Sequence, residues 1–265
     1  MVERVNVNVK DFIAEVALSR PDKMNALDLK MFAAISEAGE ALKGRKDVRV
    51  VILYGQGENF CAGIDTAVFG DMIARINEVR AEMLAPGEGN VANIFQKPAH
   101  VWQELEMPVI AALNGAVFGG GAQIALGADF RFASADTKIS IMESKWGLIP
   151  DMGITQNLPK LVRADQAKEL MMTARILNSD EALSMGLISR ICDDPMAEAR
   201  RFAAELAARS PEAMQGVKRL VEDAWTATPA RSLKLEATLQ AEIIASENQI
   251  EAVMANVQKR APKFK

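Results

Sequence analysis

Hydrophobic and polar positions alternate at the start of the chain and then give way to longer apolar runs. Residues 5–9 ("VNVNV") alternate valine with polar residues, and residues 12–18 ("FIAEVAL") are a short, mostly apolar stretch, which together predict a hairpin of two strands. Residues 48–55 ("VRVVILYG") and 108–115 ("PVIAALNG") are continuous apolar runs bounded by turn residues. Such runs are typical of strands that are buried on both faces.

A helical pattern separates these strands. In residues 27–44 the apolar positions recur at helical spacing, and they are Leu27, Met31, Ile35 and Leu42. Gly44 then closes the segment. Strands and helices therefore alternate, which predicts an α/β core.

From about Asp194 the pattern becomes helical throughout. Ser210 and Pro211 suit the N-cap and the first position of one helix, and we expect a long helix from about Ser232. At 265 residues and 49% hydrophobic composition, the chain is long enough for one large domain with an appended piece. We expect an α/β core in residues 1–194 and a helical region in residues 195–265 that packs on the core and on a neighbouring subunit.

The charge balance and the cysteine content exclude several classes of protein. A net charge of −4 argues against nucleic acids or acidic membranes as partners, because such binders need a basic surface. The N-terminal segment lacks the apolar core of a signal peptide, and no apolar run has the length of a membrane span. Cys61 and Cys192 provide neither a disulfide framework nor metal-ligand spacing. We therefore expect a cytoplasmic protein without a metal.

The chain has a single histidine, His100, in a polar stretch that we expect to begin a helix after Pro98. A Ser-His-Asp triad or a multi-histidine metal site would depend on this residue alone. We interpret it as a histidine on a helix surface or a pocket wall.

Three consecutive glycines lie between an apolar run and a predicted helix in residues 115–127 ("GAVFGGGAQIALG"). The dinucleotide-binding pattern G-x-G-x-x-G fails here, because Ile124 stands where its last glycine is needed. A strand, a glycine turn and a short helix leave backbone N–H groups exposed, as in an oxyanion hole. A second turn of small residues follows the earlier strand, in residues 55–66 ("GQGENFCAGIDT").

The order of motifs along nearly the whole chain resembles the crotonase family, which comprises enoyl-CoA hydratases, isomerases and relatives. The matching stretches are residues 18–28, 59–66, 108–134, 139–162, 173–188 and 258–264. This resemblance implies a spiral of repeated β-β-α units with a helical C-terminal trimerisation region. It also implies a homotrimer or a dimer of trimers, and a place in fatty acid metabolism.

The resemblance also implies a site for an acyl-CoA thioester, with coenzyme A as part of the substrate and no permanently bound cofactor. The N–H groups of Ile64 and Gly120 would bind the thioester oxygen. Preorganised donors of this kind stabilise the enolate that forms when a neighbouring proton is removed. The positions that the resemblance assigns to coenzyme A are Lys23, Met24, Ala26, Ala62, Asp65, Thr66 and Lys259.

The catalytic positions depart from the hydratase pattern. Hydratases of this family use two glutamates, and Glu143 matches the second, whereas Gln123 stands at the first. A carboxamide exchanges hydrogen bonds but cannot carry a proton, so isomerisation of a double bond by one carboxylate is favoured. The apolar surroundings expected for Glu143 would raise its pKa. The alternative is a surface glutamate in a salt bridge with Lys145 or another base.

Asp151 resembles an aspartate that dienoyl-CoA isomerases place eight positions after their glutamate. A second carboxylate would suit a proton shift over a longer conjugated system. The alternative is a cap of the helix that begins near Ile154. Residues 66–106, which match the family least, are candidates for the acyl pocket.

Three other functions remain open. Water could add to a 2-enoyl-CoA if Asp151 or a water network replaces the missing acid. The chain could bind a CoA thioester without turnover, or hydrolyse it with Asp151, Glu143 or Cys61. Cys61 has no histidine nearby in sequence, so we interpret it as a packing residue.

Overall fold

Two β-sheets, whose strands are mostly parallel, form the framework of the computed structural model. The structure describes residues 3–86 and 89–265. The larger sheet has the strand order β1-β2-β3-β4-β6-β8, and the smaller one pairs β5 with β7. The strands are β1 (Val5–Lys10), β2 (Ile13–Leu18), β3 (Val50–Gly55), β4 (Val109–Leu113), β5 (Ala116–Phe118), β6 (Phe130–Ala133), β7 (Lys138–Ser140) and β8 (Arg190–Ile191). Only the β1–β2 pair is antiparallel among these strands of the described chain.

Helices surround the sheets and extend beyond them. They are α1 (Leu29–Leu42), α2 (Val68–Ala74), α3 (Ile76–Leu84), α4 (Lys97–His100), α5 (Gly120–Leu126), α6 (Ile154–Leu161), α7 (Ala164–Thr173), α8 (Ser179–Met185), α9 (Pro195–Ala207), α10 (Pro211–Ala224), α11 (Pro229–Ile243) and α12 (Glu247–Gln258). Short 3₁₀ helices span Pro21–Lys23 and Glu143–Trp146. Across residues 3–86 and 89–265, none of the helices combines the length and the apolar character that crossing a membrane requires.

The predicted hairpin is confirmed. Lys10 pairs with Ile13, and the two residues between them, Asp11 and Phe12, both have positive φ angles of 50° and 66°. A two-residue turn with φ above zero at both positions matches the twist of the flanking strands. β2 then continues into the sheet by pairing in parallel with β3.

The two apolar runs are buried strands, as predicted. Every residue of β4 is buried, and β3 is buried except at Tyr54. The predicted helix is α1, which is capped by the Asp28 side chain accepting from Met31 N at 2.8 Å. Its buried face presents Met31, Ile35 and Leu42 to the core, as their spacing predicts.

The expected β-β-α repeat is confirmed. β4 lies in the larger sheet, β5 follows it in the smaller sheet, and α5 completes the unit. β6 and β7 repeat this division between the sheets. An isolated parallel bridge between Cys61 and Val117 adds the segment after β3 to the smaller sheet. The turn after β3 and the glycine turn after β5 therefore lie side by side.

The C-terminal region is helical, as predicted, with one correction. Ser210 caps α10 by accepting from Ala213 N, and Pro211 is its first residue. The single long helix expected from about Ser232 is wrong, because α11 and α12 are separate helices. Ala245 between them has a φ of 62°, and Ser246 caps α12.

The first of these C-terminal helices, α9, is joined to the core by packing. Its alanines 199, 203 and 207 lie against the face of the larger sheet that Val50, Ile52 and Ile110 form. The division between residues 194 and 195 stays a prediction.

Candidate active site

Two glycine-bearing turns form the candidate site: the first turn lies in residues 55–66, after β3, and the second, or glycine turn, begins at Gly119, after β5. Main-chain hydrogen bonds hold the two turns together. Cys61 N donates to Ala116 O at 3.0 Å, and Phe118 N donates to Cys61 O at 2.9 Å. Residues 62–64 therefore run beside residues 118–120, although more than fifty residues of sequence separate them.

Glycine is required at this junction because the two backbones approach closely. A Cβ on Gly63 would lie 2.7 Å from Phe118 O, and one on Gly121 would lie 2.6 Å from Cys61 O. Gly119 has a φ of 52°, in the left-handed region that glycine adopts without strain. The glycines therefore allow the second turn to pack directly on the first.

Two N–H groups at this junction are free to receive a ligand. Leu27 N donates to Gly63 O, and Asp65 N donates to Leu27 O. The main-chain groups on either side of Ile64 are therefore already hydrogen-bonded. Gly119 N donates likewise to Ser140 O. Within residues 3–86 and 89–265, the N–H groups of Ile64 and Gly120 make no hydrogen bond.

Glu143 lies beside the glycine turn, at the start of the 3₁₀ helix that follows β7. Its Oε1 accepts a hydrogen bond of 2.7 Å from Gln123 Nε2 and would be 3.5 Å from a Cβ on Gly119. Its Oε2 is buried and has no hydrogen-bond partner in the described part of the chain. Burial raises the pKa of this carboxyl, as expected, and the hydrogen bond from Gln123 opposes that rise. The alternative of a surface glutamate paired with Lys145 is wrong.

Gln123 is buried on α5 and uses both ends of its amide. Nε2 donates to Glu143, while Oε1 accepts from Met152 N at 2.8 Å. The side chain therefore connects the 3₁₀ helix of Glu143 with the turn that precedes α6. Sequence reasoning placed Gln123 in the site but did not find this connection to Met152.

Asp151 lies in that same turn, next to Met152. The alternative role as a helix cap is wrong, because Gly153 is the N-cap of α6 and no side chain caps it. The side chain is exposed, yet nearby protein atoms remove part of its water and raise the pKa of its carboxyl. Its charge also raises the pKa of Glu143, so the two carboxylates interact.

The loop predicted to contact coenzyme A packs on the first turn through a residue that sequence reasoning missed. Asn25 is fully buried with a φ of 54°, and its side chain donates to Gln56 O at 3.0 Å and Asn59 O at 2.8 Å. Ala62 N donates to Met24 O at 2.9 Å. The signal in the sequence was an asparagine in a loop, a residue type that tolerates the left-handed conformation.

The predicted coenzyme A positions of this loop and of the first turn lie close together. Asp65 forms an ion pair of 2.8 Å with Arg20, another residue that sequence reasoning did not single out. Lys23, Met24 and Thr66 are exposed, whereas Ala26 and Ala62 are half-buried.

Lys259 lies outside the loop and the first turn, as the C-cap of α12. It ends α12, and the tail that follows reaches Arg49, whose Nη2 donates to Phe264 O at 3.0 Å. The tail runs back along α12, since Lys263 N donates to Glu251 and Lys265 N donates to Asn248. In the described part of the chain, Lys259 makes no hydrogen bond or ion pair with the other predicted site residues.

The remaining reactive candidates are structural. Cys61 is fully buried, donates from Sγ to Asn25 O at 3.1 Å, and has its pKa raised to about 12 by burial. A protonated buried thiol is not a nucleophile, so Cys61 is the packing residue that we expected. His100 is half-buried with Nδ1 3.1 Å from Gln103 Oε1, and α4 begins at Lys97, one residue before Pro98.

A partly exposed apolar surface lies beside Glu143. The ring of Trp146, in the same 3₁₀ helix, is 6.1 Å from the ring of Phe69 on α2. Ile73 on α2 and Leu148 and Ile149 beyond the 3₁₀ helix are exposed. The segment that follows the first turn thus contacts the 3₁₀ helix of Glu143 through Phe69 and Trp146.

Comparison with known proteins agrees with this architecture. The family model described as enoyl-CoA hydratase/isomerase matches residues 8–265. Crotonyl-CoA hydratase of Syntrophomonas wolfei is 30% identical over 265 residues, which cover 99% of this chain and 98% of the relative. The peroxisomal Delta(3,5)-Delta(2,4)-dienoyl-CoA isomerase of Arabidopsis thaliana is 29% identical, covering 99% and 96%. The crystal structure of enoyl-CoA hydratase from Bacillus anthracis superposes with a TM-score of 0.89 at 27% identity, covering 99% of each chain.

The fold and these matches define a crotonase-fold protein. The chain belongs to the enoyl-CoA hydratase/isomerase family, and it is an enzyme that acts on CoA thioesters.

Proposed function

We propose that this enzyme moves a double bond along the acyl chain of an enoyl- or dienoyl-CoA. The observation that carries the proposal is the environment of Glu143. Its carboxylate has a buried, unpartnered oxygen beside the glycine turn, and the group next to it is the amide of Gln123. A site with one carboxylate and one amide can exchange protons through the carboxylate alone.

The thioester oxygen would bind between the two glycine turns. The free N–H groups of Ile64 and Gly120 are donors to the negative charge that develops on this oxygen. Each donor of an oxyanion hole contributes roughly 3 kcal/mol to lowering the barrier. Both donors are main-chain groups, so an isoleucine is acceptable at position 64.

Glu143 would then act as both base and acid. The carboxylate takes a proton from C2 of a 3-enoyl-CoA, the electron pair moves toward the thioester oxygen, and a dienolate forms. The protonated Glu143 returns the proton to C4, which leaves the double bond between C2 and C3. A raised pKa suits this exchange, because the group must release the proton as readily as it accepts it.

Asp151 would extend the reaction to 3,5-dienoyl-CoA. In that substrate the proton removed at C2 returns at C6, which is further from the first carboxylate. The raised pKa of Asp151 and its interaction with Glu143 support a pair of carboxyls that work along the same acyl chain.

The remaining parts of the substrate follow from the surroundings of the site. Lys23, Met24 and Ala26 of the loop and Ala62, Asp65 and Thr66 of the first turn would contact coenzyme A. The apolar side chains within residues 66–106, with Trp146, would contact the acyl chain.

The assembly and the location are further parts of the proposal. Lys259 makes no hydrogen bond or ion pair with the loop or the first turn in the described part of its own chain, so it would meet the coenzyme A phosphates of a neighbouring subunit. The assembly that we propose is a homotrimer or a dimer of trimers. The proposed reaction needs no permanently bound cofactor. A cytoplasmic location and a role in fatty acid metabolism stay predictions.

Addition of water to a 2-enoyl-CoA is the second candidate. The observation that favours it is the raised pKa of Asp151, because a carboxyl that stays protonated at higher pH can supply the acid that Gln123 cannot. The hydratases among the relatives use the same fold.

The test offers 2-enoyl-, 3-enoyl- and 3,5-dienoyl-CoA of several chain lengths to the purified enzyme and to its Glu143→Gln variant. Absorbance follows conjugation with the thioester, and mass spectrometry identifies the products. We expect a double-bond shift that is lost in the variant. Water addition at enzyme-like turnover would favour the hydratase, release of CoA thiol would indicate a hydrolase, and equal activity of both proteins would exclude Glu143 as the base.

A further inference from the structure

We propose that Gln123 is a positioning residue that makes Oε2 of Glu143 the proton-carrying oxygen and ties Glu143 to the turn that carries Asp151. The inference rests on the proposed function for its effect on turnover. Its structural part concerns the hydrogen bonds of the Gln123 amide and stands on geometry alone.

The orientation of this amide is determined by Met152. A main-chain N–H can only donate, so the atom of Gln123 that lies 2.8 Å from Met152 N must be the carbonyl oxygen Oε1. The NH₂ group is therefore the one that faces Glu143. An inverted amide would place two donors against each other at Met152 and two acceptors against each other at Glu143.

This orientation distinguishes the two oxygens of Glu143. Oε1, 2.7 Å from Gln123 Nε2, must accept and therefore cannot hold the proton on that side. Oε2 is the buried oxygen without a partner in the described chain, so it is the one left to bind a proton. A carboxyl held in this way presents a single oxygen to the substrate in both protonation states.

Gln123 also anchors the surroundings of the glycine turn. Met152 is buried, and its Sδ would lie 2.7 Å from a Cβ on Gly120. The hydrogen bond from Met152 N to Gln123 therefore holds a turn that packs on the Gly120 donor and bears Asp151. One buried amide thus links the base, the second carboxylate and one donor of the oxyanion hole.

The first experiment compares Gln123→Met with Gln240→Met, a matched control on an exposed face of α11. Methionine has a similar length but forms neither hydrogen bond. We expect kcat for the double-bond shift to fall about 10²-fold in Gln123→Met, as for a misplaced catalytic group, with a smaller change in KM. The acid limb of the pH profile should move to higher pH, because a hydrogen bond that lowers the pKa of Glu143 is lost. Unchanged kcat and an unchanged limb in a folded variant would overturn the proposal.

A measurement independent of turnover separates this inference from the proposed function. The Glu143 carboxyl is titrated by ¹³C NMR in protein labelled at glutamate, and the signal is assigned by its loss in Glu143→Gln. A higher Glu143 pKa in Gln123→Met supports the inference even if the enzyme shifts no double bond. An unchanged pKa contradicts it even if the enzyme is an isomerase.

Gln123→Glu keeps the inference testable if Gln123→Met does not fold. Its carboxylate still accepts from Met152 N but places an acceptor against Oε1 of Glu143. We expect the two carboxyls to titrate as a coupled pair, with the upper step above the Glu143 pKa of the unmodified enzyme, because a donor is replaced by a like charge. A Glu143 titration identical to that of the unmodified enzyme would overturn the proposal.

Discussion

Cys61 and Val117 form a single parallel β-bridge, and this pairing places the turn after β3 beside the glycine turn after β5. Neither residue has a side chain that takes part in the proposed chemistry. Their backbones nevertheless bring together the two segments that carry Ile64 and Gly120, whose N–H groups have no partner in the described chain. The geometry of the proposed oxyanion hole therefore depends on close packing at this bridge.

Gly121→Ala should destabilise the protein and weaken catalysis together. The added Cβ would lie 2.6 Å from Cys61 O and 2.8 Å from Cys61 Sγ, so the two turns must move apart. Overpacking of this kind costs about 1–3 kcal/mol. Thermal unfolding and kcat for the double-bond shift measure the two effects.

Gly70→Ala is the matched control for that substitution. Gly70 lies within α2, where a Cβ would meet no atom within 4 Å. Alanine in a helix is favoured over glycine by about 0.5–1 kcal/mol, so this variant should unfold at a slightly higher temperature. Equal stability of the two variants would contradict the close approach at Gly121.

Glu143→Gln should unfold at a higher temperature than the unmodified enzyme near neutral pH. The folded state raises the pKa of Glu143 by burial, so it favours the protonated carboxyl. The stability that this group contributes is present below its ordinary pKa of 4.5 and is lost as the pH rises through the raised value. The advantage of the variant should therefore shrink as the pH is lowered.

Thermal unfolding between neutral pH and the ordinary pKa of Glu143 tests whether the stability advantage of Glu143→Gln shrinks toward low pH. Glu236→Gln, on the exposed side of α11, is the control. Catalysis should fall although stability rises, with a loss of about 10²- to 10⁴-fold in Glu143→Gln at pH values above the acid limb of the unmodified enzyme. A difference in unfolding temperature that grows toward low pH would show that Glu143 is stabilised as the anion.

Asp151→Asn should separate the two isomerase substrates. Turnover of 3,5-dienoyl-CoA should fall about 10²- to 10⁴-fold, because the second proton carrier is lost. Turnover of 3-enoyl-CoA should remain, with its acid limb at lower pH, since the charge of Asp151 raises the pKa of Glu143. Steady-state rates on both substrates check this against Asp136→Asn, an exposed aspartate in another turn. Equal losses on both substrates would remove Asp151 from the dienoyl reaction.

Gln123→Glu should increase the addition of water to 2-enoyl-CoA. Two carboxyls at the distance of the present hydrogen bond would share one proton and titrate as a coupled pair, which supplies both a base and an acid. Hydration is measured by the loss of absorbance of the conjugated thioester across pH. If the rate of hydration does not rise at any pH, the missing carboxyl at position 123 is not what limits hydration.

The sequence by itself determined the elements whose signals are local. Alternating residues predicted the β1–β2 hairpin, apolar runs predicted β3 and β4, and Ser210 with Pro211 predicted the start of α10. These patterns reflect side-chain period and capping, which act over a few residues. The order of motifs also led to the family, and to Glu143 and Gln123 as candidate catalytic positions. The break at Ala245 was missed because a helical pattern continues on both sides of it.

Only the tertiary structure decided how those positions act on one another. Gln123 and Glu143 are 20 residues apart, and their hydrogen bond depends on the packing of α5 against the segment after β7. The unpartnered Oε2 follows from burial, which no local pattern specifies. The two glycine turns meet for the same reason, because a bridge between distant strands forms only when the chain is folded. Sequence thus determined which groups are available, and long-range packing determined which atoms of these groups hydrogen-bond to one another and which have no partner in the described chain.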